Sequence, residues 1–195
     1  MMTKRHSALV ASFQERLVGD LACHNTLRGL WAEEIVASFL DGWKFAAPWV
    51  YYDLLGANGM RMSVKQSAGK NPKLSIKGQD SAVIPLSDRT SDDDGWRYPD
   101  SDVREFLSDV YTFAWLPGDL VQKRVLDPDE WRFIVLSRAA MYLDLPSPGA
   151  SSISAKRLES ELGPAVSGSD LQSAVDHALA DSRSDGVPSI RLVRG

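Results

Sequence analysis

Residues 49–68, Trp49-Val50-Tyr51-Tyr52-Asp53-Leu54-Leu55-Gly56-Ala57-Asn58-Gly59-Met60-Arg61-Met62-Ser63-Val64-Lys65-Gln66-Ser67-Ala68, decide the fold class. WVYYDLL is aromatic and β-branched, GANG is turn-forming, and GMRMSVKQSA alternates apolar with polar. The stretch therefore predicts two antiparallel strands joined as a hairpin. Side chains alternate between the faces of a strand, so Met60, Met62 and Val64 share one face and Arg61, Ser63, Lys65 and Ser67 the other. The first set is expected in the core and the second on a polar face. With the turn near Ala57-Asn58, Asp53 falls roughly opposite residues 63–65. A carboxylate, the Val64 backbone carbonyl and the Lys65 ammonium then converge at one end of the sheet.

Outward from the hairpin, further strands are predicted at 73–77 (KLSIK), 109–116 (DVYTFAWL) and 131–137 (WRFIVLS). The last two are apolar throughout, which places them in central, buried positions of a sheet of about five strands. Helices are predicted at 7–19 (SALVASFQERLVG) and at about 26–40, the latter capped by Asn25 or Thr26 and stopped by Asp41-Gly42. After Pro146, SPGASS leads to helices at 153–162, with Ser154 as the cap, and at 169–181. Residues 87–102 carry turn formers and six aspartates and read as a loop. Ser189-Ile190-Arg191-Leu192-Val193 has the pattern of an edge strand in an otherwise loose tail, 183–195. No repeat and no second core is evident. The expectation is a single α/β domain spanning 1–195, a mixed sheet flanked by helices, with its core at about 25–145 and a C-terminal helical region at about 150–182.

Composition narrows the function classes. Twenty-two Lys and Arg against 26 Asp and Glu leave a formal charge of −4, so no global basic field advertises nucleic acid and any such contact must be local. The single cysteine, Cys23, cannot form an internal disulfide, and with three histidines (His6, His24 and His177) no Cys/His zinc cluster is possible. A reducing cytoplasm is the expected compartment. No apolar run approaches the ~18 residues of a membrane span, so no membrane contact is expected.

Asp53, the Val64 carbonyl and Lys65 suit metal-assisted hydrolysis. A hard ion such as Mg²⁺ takes oxygen ligands, and a lysine beside it orients a water and neutralises developing phosphate charge. The same spacing also describes an exposed hairpin aspartate beside a solvated lysine, which is the commoner outcome. Between Leu54 and Gln79 there is no acidic residue, whereas Arg61, Lys65, Lys70, Lys73 and Lys77 are basic, with Ser67 among them. That run reads either as a track for a phosphate backbone or as a lysine-protected edge strand. Asp92-Asp93-Asp94 reads as a solvated loop, because consecutive residues cannot all face one ion. Trp96 and Tyr98 suit either stacking on a base or anchoring that loop.

Three stretches together resemble the PD-(D/E)XK nuclease superfamily, whose members share the restriction-endonuclease-like fold. Asn25-Thr26-Leu27-Arg28-Gly29-Leu30-Trp31-Ala32-Glu33-Glu34-Ile35-Val36-Ala37 is similar to a first-helix signature of one subgroup. Tyr52-Asp53-Leu54 with Gly59–Ala68 resembles the catalytic hairpin, and Ser108–Phe113 with Asp129–Leu136 the two strands that follow. The resemblance implies a restriction-endonuclease-like core and a metal-dependent DNA endonuclease that hydrolyses phosphodiester bonds with Mg²⁺ (or Mn²⁺). Asp53, Lys65 and Glu33 become the catalytic residues. Asp53, Glu33 and the Val64 carbonyl become the metal ligands, with Glu34 as the alternative to Glu33. Arg61, Ser67, Lys70, Lys73 and Lys77 become the DNA contacts. One position departs from the pattern: two residues before the lysine the family carries Asp or Glu, and here stands Ser63, a neutral and poor ligand. Metal affinity and activity are expected to fall accordingly. Gln66 does not compensate, because alternation turns it to the side of Val64 and Met62. The alternative reading is a catalytically silent module for nucleic-acid binding or protein interaction that keeps the nuclease fold. The C-terminal helices would then serve a homodimer or a partner protein.

Overall fold

The computed structural model describes residues 24–47, 50–76, 79–80, 104–143 and 151–184, together with positions 12, 15 and 19. Among the described residues the strands in chain order are β1 (Trp43–Phe45), β2 (Leu54–Gly56), β3 (Arg61–Gly69), β4 (Lys73–Ser75), β5 (Gln79–Asp80), β6 (Arg104–Glu105), β7 (Val110–Pro117), β8 (Arg132–Ser137) and β9 (Ser152–Ser154). The helices are α1 (Asn25–Ser38), α2 (Gln122–Val125), α3 (Arg138–Leu143), α4 (Ala155–Leu162) and α5 (Leu171–Ser184). The expected helix at 7–19, apart from three isolated positions, the acidic loop at 87–102 with Trp96 and Tyr98, Lys77 and the tail strand fall outside the described residues.

The main sheet is mixed and five-stranded, in the order β1-β2-β3-β7-β8. The predicted hairpin forms, with β2 and β3 antiparallel in the register Leu54↔Met62. Its turn closes because the Asn58 side chain accepts from the Met60 N–H at 3.1 Å and Gly59 takes φ 81°, a left-handed conformation that only glycine adopts without strain. β3 then pairs in parallel with β7, and β7 pairs antiparallel with β8.

Four expectations need correction. The first strand of the hairpin is short: only Leu54–Gly56 pairs, and Trp43–Phe45, read as chain following a helix stop, adds the strand outside it. The segment at 73–77 leaves the main sheet, because Gly69 (φ 120°) and Pro72 turn the chain away. β4 pairs instead with β9 in a separate two-stranded sheet. β8 is an edge strand, not a central one. Its residues 133–136 are all apolar because both its faces are covered, Phe133 by one core and Ile134 and Leu136 by the other. Its outer edge is partly closed by an antiparallel bridge between Phe133 and Val166. Finally, the polar face of β3 is not solvent-facing, since Ser63 on it is 1% exposed.

That last point follows from two cores on opposite faces of the sheet. On one face Met62, Val64, Val110, Ala114 and Leu116 pack against Ala32, Ile35 and Val36 of α1 and Leu171, Val175 and Leu179 of α5. On the other, Tyr111, Phe113 and Trp115 pack against Leu74 and Ile76 near β4, Ile153 of β9 and Leu158 of α4. The alternation of β7 feeds both layers at once. As expected, the Ser154 hydroxyl caps α4 by accepting from the Arg157 N–H at 3.3 Å. The helix expected at 169–181 is α5, preceded by a single 3₁₀ turn at Gly168–Asp170. Among the described residues no helix is long and apolar enough to cross a membrane.

Candidate active site

β2 parts from β3 at Asp53, and the fork this opens is where the chemically interesting groups meet. The Asp53 N–H still donates to the Met62 carbonyl at 2.8 Å, and its carbonyl accepts from Ala46 at 3.0 Å. Its side chain then takes over the pairing that the backbone gives up: Oδ2 accepts from the Val64 N–H at 2.6 Å and from the Ser63 hydroxyl at 3.2 Å. The N–H and C=O of one strand residue point to the same side, so the Val64 carbonyl opens toward Asp53 as well. Lys65 shares its face with Ser63 and stands in register with Phe113. Burial pushes its pKa below the ordinary lysine range, against the opposing pull of Asp53 and Glu33.

The third group comes from α1, which is anchored at two points. The Trp31 indole donates to the Val125 carbonyl at 2.8 Å, an acceptor it shares with the Trp131 indole at 3.0 Å. Near the helix start, Gln66 Nε2 donates to the Asn25 carbonyl at 3.1 Å and to Asn25 Oδ1 at 2.8 Å. With Ala32, Ile35 and Val36 turned into the core, Glu34 is exposed and Glu33 is half-buried. Burial, then the neighbouring Asp53 and Glu34 carboxylates, raise the Glu33 pKa to about 7, with Lys65 opposing. Burial also holds the Asp53 carboxyl above its ordinary value, while the Val64 N–H, Lys65 and the Ser63 hydroxyl pull it down. Glu33, Asp53 and Lys65 thus share one electrostatic environment, and of the two helix glutamates it is Glu33 that belongs to it.

The chemistry of the residues at the fork, two carboxylates and a backbone carbonyl, is oxygen-only and hard, the kind of donor that Mg²⁺ or Mn²⁺ would take. Among the described residues no cluster of three or more His, Cys, Asp or Glu side chains is placed to hold a metal ion.

The residues expected to contact DNA are dispersed. Arg61 is committed elsewhere: its backbone N–H and Nε both donate to Asp109 Oδ2, at 2.9 and 3.0 Å, and its guanidinium also meets the Tyr51 hydroxyl. Arg138 shares the same carboxylate through Asp109 Oδ1 at 3.2 Å. Ser67 is half-buried on β3 in register with Trp115. Lys70 and Lys73 are exposed just beyond the end of β3, where Lys70 pairs with Asp119 at 3.2 Å. Sequence reading missed the Arg61-Asp109-Arg138 cluster, because partners 48 and 29 residues apart leave no local pattern. A cleft of about 320 Å³ lies at the β8 edge of the sheet, between β8 and α5, lined by Phe133, Val135, Ala174 and His177 among others. No family model matches the chain. No curated protein matches it either.

Proposed function

We propose that this chain is a Mg²⁺- or Mn²⁺-dependent deoxyribonuclease of the PD-(D/E)XK type, built on a restriction-endonuclease-like core, that hydrolyses phosphodiester bonds in DNA. The observation that carries this reading is the placing of the Asp53 carboxylate against β3, its Oδ2 held by the Ser63 hydroxyl and by the Val64 N–H immediately before Lys65. Burial, ahead of any charge, raises the pKa of Glu33 and Asp53 and lowers that of Lys65, and the charges of Glu33 and Lys65 act on one another, a combination that marks a candidate functional site. A mixed sheet with a helix glutamate beside an antiparallel hairpin supports it further.

A divalent ion held by Asp53, Glu33 and the Val64 carbonyl would supply Lewis-acid stabilisation of the scissile phosphate. The remaining work falls to the chain itself. Lys65, its proton loosened by burial, orients the attacking water and offsets charge that develops on the phosphate oxygens. Asp53, anchored by two donors on one oxygen, keeps its orientation without solvent reorganisation. Lys70 and Lys73 offer exposed cations to the DNA backbone beyond the end of β3. A homodimer or partner protein would meet α4 and α5 on their polar outer sides, because Leu158, Leu171 and Val175 are fully buried in the two cores.

The test is cleavage of single-stranded, duplex and branched DNA with Mg²⁺ or Mn²⁺, comparing wild type with Asp53→Ala and Lys65→Ala. Metal-dependent cleavage abolished by both changes is the expected result. A folded wild type that neither binds Mn²⁺ nor cleaves any of the three substrates would overturn the proposal. The silent binding module would then take its place, a reading favoured by the neutral Ser63 where the family carries a carboxylate.

A further inference from the structure

We propose that Ser63 is a positioning residue for Asp53, its hydroxyl holding the carboxylate in place at the position where the family's pattern would put a second charge; the inference rests on the nuclease reading above. Ser63 is 1% exposed, and a buried hydroxyl is costly unless it is hydrogen-bonded. Its Oγ donates to Asp53 Oδ2 at 3.2 Å, the same oxygen that receives the Val64 N–H at 2.6 Å. Both donors thus hold one carboxylate oxygen, and Oδ1 takes neither of them. A carboxylate has acceptor capacity on both oxygens, so this division holds the group in place while leaving capacity for a cation. A ligand must be held to within about 0.5 Å by its supporting contacts for a site to function, and the Ser63-Val64 pair is such a support.

A carboxylate at this position would sit in contact with Asp53, buried against Tyr111 and Phe113, with like charges adjacent in the metal-free protein. Serine removes that repulsion and adds a donor. On this account the part Ser63 plays in metal binding runs through Asp53.

Two measurements test this. The first is a double-mutant cycle in urea unfolding with Ser63→Ala, Asp53→Ala and the pair. A hydrogen bond to a charged group should give a coupling of about tenfold in the unfolding equilibrium constant. Additive effects would overturn the contact. The second is Mn²⁺ titration by calorimetry. Ser63→Ala is expected to weaken Mn²⁺ binding about five- to tenfold, and Ser63→Thr, which restores the hydroxyl, to return it to within about twofold of wild type. If the added methyl of Ser63→Thr prevents folding, Ser63→Cys, a weaker donor of similar size, should fall between wild type and Ser63→Ala. A purely structural serine would change stability and leave the Mn²⁺ affinity alone, and equal affinities in wild type and Ser63→Ala would refute the inference while sparing the nuclease reading. Absence of Mn²⁺ binding in wild type, with the coupling present, would refute the nuclease reading and leave the Ser63-Asp53 clamp as a stabilising contact only.

Discussion

Replacing Glu33 with Gln should stabilise the protein above neutral pH and leave it almost unchanged in acid. Below pH 4.5 Glu33 is protonated in both the folded and the unfolded chain, so its ionisation costs nothing. Between 4.5 and about 7 the unfolded chain has released a proton that the folded chain retains, and stability falls as pH rises; above about 7 the loss is complete. At about 1.4 kcal/mol per pH unit, the gap between 4.5 and about 7 would amount to about 3 kcal/mol for a fully buried group. Glu33 is half-buried and reached by solvent, and Lys65 attracts its ionised form, so the expected gain is about 1–2 kcal/mol at pH 8. Urea unfolding followed by tryptophan fluorescence at intervals from pH 4 to 8.5 measures this. The wild-type curve subtracted from the variant curve cancels the other titrating groups. A difference that does not change with pH, or a variant less stable than wild type at pH 8, would show that Glu33 is already ionised and stabilised by Lys65, which would refute the reasoning.

Three further changes probe other parts of the molecule. Asp109→Asn removes the carboxylate that Arg61 and Arg138 share at 12% side-chain exposure and should cost about 2–4 kcal/mol in chemical denaturation; a loss below about 0.5 kcal/mol would mean the cluster is solvated in solution. Gly168→Ala drives a Cβ into the Phe39 ring, which itself packs on Phe133, and should cost about 1–3 kcal/mol; an unchanged melting temperature would contradict the close approach. Reversing the charge of Lys70 and Lys73 together should weaken DNA binding alike for all sequences and flatten its salt dependence, as counted from the slope of log Kd against log salt, while losing the exposed Lys70-Asp119 pair should barely alter stability.

Much of the candidate site was legible before any coordinates. The hairpin register that brings Asp53 beside residues 63–65 follows from alternation and one turn. The helix that carries Glu33 forms where it is expected, but its signals are misplaced: the N-cap is His24, without a side-chain hydrogen bond, and neither Asn25 nor Thr26, and the helix ends at Ser38, ahead of Asp41-Gly42. Two ambiguities were not legible. Glu33 and Glu34 are adjacent on a helix whose apolar residues cover more than one face, and the choice between them depends on the rotation of α1, fixed by hydrogen bonds to Val125 and from Gln66. Ser63 looked like a lost ligand, because its hydrogen bond to Asp53 crosses between strands and leaves no mark in either segment. Lys73 and Lys70 looked continuous with Arg61, yet the turn at Gly69–Pro72 and the ion pair with Asp109 separate them in role.

The sequence by itself determined the elements whose causes are local: the alternating strand 61–69, the Gly59 turn, the apolar strand 110–117, the helix that follows His24 and the Ser154-capped helix. Backbone propensity, capping and alternation act within a few residues, so they can be read along the chain. Only the tertiary structure decided which strands adjoin, that β3 runs parallel to β7, that 73–75 joins β9, and that a strand face patterned as polar is covered by a second core. Those outcomes depend on which apolar surfaces meet across the whole chain. For the same reason the ionisation of Glu33, Asp53 and Lys65 became readable only with the burial that shifts it, since desolvation belongs to the assembled environment and not to any residue alone.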